Sequence, residues 1–194
     1  MKKNKMGAHE VTQGETGQAA PPADAEPDSP SDDFILDIDM RLAAWQPFIA
    51  PLTAHMRHVV TALGLPFVEI SLVLGDDALL AQLNADYRGK HKPTNVLSFP
   101  ALDDDGLAEL APGMMLGDIV MSFDTLSREA RDAERPLVAH AAHLLTHGLL
   151  HLLGHDHESA AEAEAMEALE TQLLTAVGLP DPYAPDPHAD EAMQ

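Results

Sequence analysis

Within HGLLHLLGHDH, residues 147 to 157, four histidines and one aspartate share eleven positions. Helical residues advance about 100° each, so His147 and His151 present two imidazoles on one face. Gly154 lets the chain leave the helix through backbone angles that other residues avoid, and His157 then folds back as a third ligand. The pattern HxxxHxxGxxH is the skeleton of a three-histidine site such as zincins use. Three neutral imidazoles leave a fourth position open, where water is activated near neutral pH, so the expectation is one catalytic zinc ion per chain. In an HExxH metallopeptidase the residue after the first histidine is the glutamate base; here it is Gly148, which disfavours peptide hydrolysis by that route.

Other histidines carry weaker expectations. His140 and His143 fall on the same stripe as His147 and His151. His140 and His55 are read as ordinary packed or surface residues. His143 and His155 are open to two readings, plain packing or a hydrogen bond that orients a ligand or substrate. Asp156 is likewise either a base or hydrogen-bond acceptor at the site, or a solvated turn residue.

A second group of residues lies in YRGKHKPTNVLSFP, 87 to 100, which joins a helix to a strand. Arg88 offers a guanidinium that pairs bidentately with phosphate, and Lys90 and Lys92 add point charges. Pro93 keeps the segment extended, while Thr94, Asn95 and Ser98 offer neutral hydrogen bonds. Such a loop suits a phosphodiester, although a short charged turn is also what any solvated surface presents.

The rest of the chain must position these groups. With 194 residues it suits one domain with tails. It has no cysteine, so disulfides and thiolate ligands are excluded. A formal charge of -21 opposes broad nucleic-acid binding, yet Arg88, Lys90 and Lys92 make one local basic spot. The basic start lacks an apolar run behind it, and no stretch of about 18 apolar residues follows, which predicts a cytoplasmic protein without a membrane span. Residues 1–32 and 179–194 read as disordered tails flanking a domain at 33–178. Strands are expected at 34–40, 67–74, 95–100 and 116–123, with an acidic loop from about 101 to 115. Helices are expected after Trp45 up to Gly64, over 76–87, from Pro136 to Gly154 and over 159–177. About four strands interleaved with four helices predict an α/β (α+β) domain with a small mixed sheet.

Two blocks, HGLLHLLGHDH and LNADYRGKHKPTNVLSFP, together resemble the YbeY family of bacterial ribosomal RNA maturation factors, and LGDIVMS and EAMEALE look like further family segments. The resemblance runs from roughly 34 to 177. It implies a single-domain α/β fold around one zinc and a single-strand-specific endoribonuclease that matures the 3′ end of 16S ribosomal RNA and serves ribosome quality control. It further implies His147, His151 and His157 as zinc ligands, Arg88 as the residue important for cleavage, and the 16S precursor and small subunit as partners. His91 stands where the family usually has aspartate, and His155 where it often has tyrosine. Two other readings compete: an assembly factor with a mainly structural metal, and, disfavoured by Gly148, a divergent metallopeptidase.

Overall fold

A computed structural model describes residues 34–184, and the expected extension over 1–32 lies outside them. Four strands form one mixed sheet: β1 Phe34–Met40, β2 Val68–Gly75, β3 Val96–Pro100 and β4 Met114–Ser122. Their spatial order is β1-β2-β4-β3, with β1, β2 and β4 parallel and β3 antiparallel to β4. The helices are α1 Ile49–Ala62, α2 Asp77–Arg88, α3 Asp104–Ala108, α4 Phe123–Asp132, α5 Leu137–Leu152 and α6 Ala160–Thr175, with a 3-10 turn at Ala43–Phe48. The acidic loop expected before β4 thus contains α3, capped where the Asp103 side chain accepts from Gly106 N at 2.9 Å.

Alternation along the strands decides which face is buried. In β2, Val68, Ile70, Leu72 and Leu74 turn into the core. Helices α1 and α5 pack against one another, α5 also lies on β3 and β4, and α6 lies on α5. Trp45 is fully buried and donates from Nε1 to the Gly75 carbonyl at 2.9 Å, so the indole fills space without orphaning its N–H. The other face carries α2, whose Leu80 meets Leu97 and Val120. Asp77 fixes the start of α2 by accepting from Ser122 Oγ at 2.5 Å and Thr125 Oγ1 at 2.6 Å.

Helix α4 is absent from the sequence expectation. Its Ser122 cap, Asp124 in the first turn and Arg131 in the last are ordinary helix signals, but its polar sequence hides a narrow buried stripe of Leu126 and Ala130. At the C-terminus, residues 179–184 correct the expected tail boundary. Pro182 is buried, and Asp181 Oδ1 accepts from Thr171 Oγ1 at 3.0 Å and Tyr183 N at 2.9 Å. These contacts strap the segment along α6.

His55 is a packed histidine, as expected, 6% exposed, with Nε2 at 2.7 Å from Thr146 Oγ1. Burial, helped by nearby His58, lowers it from an ordinary 6.5 to about 4. Below pH 6.5 the unfolded chain therefore takes up a proton that the folded chain refuses, and stability falls until about pH 4. The expected loss is on the order of 3 kcal/mol. Denaturant unfolding of the metal-free protein checks this: His55→Leu should be less pH-sensitive than wild type across that window, and equal slopes would refute it.

Candidate metal centre

Helix α5 begins after Pro136 and presents His147 and His151 one turn apart. Gly154 follows with φ +81°, where a Cβ would sit 3.1 Å from Leu107 Cδ1. The left-handed turn and the crowding both favour glycine. The chain then returns through His157 before Ser159 caps α6 in a reciprocal capping box with Glu162. One nitrogen from each of His147, His151 and His157 lies within 4.8 Å of the others.

The protonation pattern suits one shared ion. His147 Nδ1 is 2.8 Å from Glu170 Oε1, and because a carboxylate only accepts, the ring must donate there and keep a lone pair on Nε2. That Nε2 faces His151 Nε2 at 3.1 Å. Burial, reinforced by His147 and His157, lowers the His151 pKa and keeps its ring neutral. Two nitrogens converging with a third nearby, in a chain without thiolates, fit a divalent metal with an open coordination position.

Glu170 went unnoticed in the sequence. It is fully buried and is shared by three donors: His147, His143 Nε2 at 2.9 Å and the Tyr183 hydroxyl. Burial alone would raise its pKa, but the three hydrogen bonds outweigh burial and bring it down to about 2. Burial, reinforced by the same carboxylate, pushes the Tyr183 phenol upward, so the hydroxyl remains a donor. His143 therefore reaches the centre through Glu170. A hydrogen bond of this kind fixes the tautomer and aim of a ligand imidazole.

The imidazoles open onto a cleft of about 580 Å³ whose wall also includes Arg88, Ser98, Phe99, His155 and Asp156. Arg88 is set there by the end of α2, where Gly89 turns left-handed at φ +66°. The buried Asn84 anchors the next loop by donating from Nδ2 to the Lys92 carbonyl at 2.7 Å. Lys90, His91 and Lys92 are exposed in that loop and do not line the cleft. Asn95 and Ser98 spend their polar groups on the fold, Asn95 Nδ2 donating to Glu129 at 2.9 Å and Ser98 Oγ to the Gly148 carbonyl at 3.1 Å. Asp156 accepts from His157 N at 2.7 Å, which makes it a turn former at the rim. His140, by contrast, pairs with Glu129 at 3.0 Å and behaves as an ordinary packed residue.

Gly148 has its own structural reason. A Cβ there would lie 3.0 Å from Ile119 Cγ2 and 3.1 Å from Ser98 Oγ. Helix α5 approaches the sheet closely here, so any side chain at this position would require Ile119 and Ser98 to give way by a few tenths of an ångström.

The family model described as Endoribonuclease YbeY matches residues 42–178. A curated protein of that description from Paramagnetospirillum magneticum is 47% identical over 154 residues, covering 75% of this chain and 93% of its own. Another, from Bradyrhizobium sp., is 54% identical over 118 residues, covering 60% of this chain and 69% of its own. Among solved structures, the solution structure of TM1509 from Thermotoga maritima has a TM-score of 0.51 at 20% identity, covering 78% of this chain and all (100%) of that one. This last likeness concerns the fold.

Proposed function

We propose that this chain, which belongs to the Endoribonuclease YbeY family, cuts single-stranded RNA with one zinc ion held by His147, His151 and His157. The observation that carries the reading is a single cleft that holds the cluster of His147, His151 and His157 together with the Arg88 guanidinium. The chemistry such an ion supplies is Lewis acidity toward a phosphoryl oxygen and activation of water near neutral pH. Arg88 binds the phosphate and neutralises the charge that grows on its oxygens as the P–O bond breaks. Glu170 holds the His147 ring so that Nε2, not Nδ1, faces the cleft.

Unpaired RNA suits a cleft of this kind, because a single strand bends to bring a phosphate inside whereas an A-form duplex offers mainly its shape. Family membership supports the finer assignment: maturation of the 3′ end of 16S ribosomal RNA and ribosome quality control, carried out in the cytoplasm on the small subunit. No described helix is long and apolar enough to cross a membrane. A formal charge of -21 leaves little general attraction for RNA, which favours delivery of the substrate by a ribosomal partner.

Arg88→Ala tests the catalytic reading. Arg88 is exposed and outside the histidine cluster, so metal content and thermal midpoint should stay at wild-type values. Cleavage of a single-stranded RNA should fall about a hundredfold, the usual cost of removing one group that stabilises transition-state charge. An unchanged rate would remove Arg88 from the mechanism. Product ends sort the attacking group, since a 2′,3′-cyclic phosphate excludes direct attack by water.

A further inference from the structure

Tyr87 is the most exposed large apolar side chain among the described residues, at 70%, yet it directly precedes Arg88 at the end of α2. Its ring meets Phe99 edge-on, with centroids 4.9 Å apart and planes at 64°. This aromatic pair lines the metal cleft. It also lines a second cavity of about 370 Å³ on the α2 side of the sheet. Val73, Leu83 and Val120 give that cavity apolar walls, and Arg41 and Asp118 supply its charged groups. Asp118 stands directly across the β3–β4 ladder from Phe99.

We propose that this second cavity is a nucleobase subsite, receiving the base of a nucleotide next to the cleaved phosphodiester. The inference rests on the RNA reading above. An unpaired strand loses base stacking, and proteins restore it with aromatic rings placed beside phosphate-binding groups. Here the ring and the guanidinium are consecutive residues, so a phosphate held by Arg88 brings its neighbouring base to Tyr87. Apolar walls suit the flat faces of a base, while the Asp118 carboxylate accepts from its edge. Guanine offers adjacent imino and amino donors to a carboxylate, whereas the single imino of uracil is flanked by carbonyl oxygens that a carboxylate repels. The subsite therefore favours guanine over uracil at one position, against the low sequence preference suggested by an aromatic content of 4%. A basic protein segment is the competing occupant. The shared Tyr87–Phe99 wall favours the strand that already passes Arg88.

The test uses the zinc-loaded full chain and short single-stranded RNAs carrying 2-aminopurine at successive positions around the cut. Wild type should quench the fluorescence at one flanking position on mixing, before cleavage. Tyr87→Ala should lose that quenching and bind about tenfold more weakly, with zinc content and thermal midpoint unchanged, and Tyr87→Phe should restore both. An abasic nucleotide at that position should weaken wild type by a similar factor and Tyr87→Ala no further. Asp118→Ala should lose the preference for guanine over uracil there. Wild-type binding and quenching by Tyr87→Ala would overturn the subsite and leave the nuclease reading intact; so would loss of small-subunit association by Tyr87→Ala with RNA affinity unchanged. A wild-type protein that neither binds nor cuts the RNA overturns both.

Discussion

His151→Ala is expected to lose bound metal and RNA cleavage together while keeping its fold. Among the ligand histidines it is the informative one to remove. His147 also donates to the buried Glu170, so truncating it disturbs a buried carboxylate, whereas the His151 ring meets His147 and the His155 backbone and does not touch Glu170. Two imidazoles remain, too few for a catalytic site that uses three protein ligands. Cleavage should fall by more than the roughly 10–100-fold that residues supporting a ligand typically carry, to the level of a metal-free control. Metal analysis, a single-stranded RNA assay and a circular-dichroism melt of the metal-free proteins read the three quantities. A variant that retains about one zinc per chain would refute the ligand assignment. One that loses the metal but still cuts would place the activity elsewhere.

The second large effect is expected at Glu170. Glu170→Gln preserves volume but puts an amide donor where three hydrogen-bond donors converge, so at least one contact turns repulsive. Zinc affinity should fall about 10–100-fold, the range for an outer partner of a ligand histidine. Stability of the metal-free protein should also fall, by about 3 kcal/mol, as expected when a buried charged network loses a partner. Competition with a chelating indicator measures the first and denaturant unfolding the second. A stability loss with zinc affinity unchanged would make Glu170 a core residue with no part in aiming His147.

The legible part of the centre was local in sequence. His147 and His151 are one helical turn apart, and Gly154 marks the turn that brings His157 back. Arg88 stood out because it falls with Lys90 and Lys92 in one short segment that concentrates positive charge in an otherwise acidic chain. Glu170 did not stand out: it is one of several acids in α6, separated by 23 residues from His147, and only packing of α6 on α5 makes it the buried one. Tyr183 sits in a proline-rich stretch with the composition of a tail, yet Asp181 pins it to α6. Lys90 and Lys92, though near Arg88 in sequence, are exposed in the loop beside the cleft and do not line it. Helix α4 was hidden by its polar exterior, although Ser122 capped it in plain view.

The position of Glu170 and Tyr183 behind the ligands also orders events during synthesis. Arg88 leaves the translating machinery first, then the three imidazoles, and only afterwards the carboxylate and phenol that complete the support of His147. A nascent chain exposed as far as His157 holds every proposed ligand but lacks the carboxylate that bonds the first of them. On the proposed ligand set, competence to load metal tightly would be acquired late, once α6 packs on α5 and the segment through Tyr183 meets Glu170.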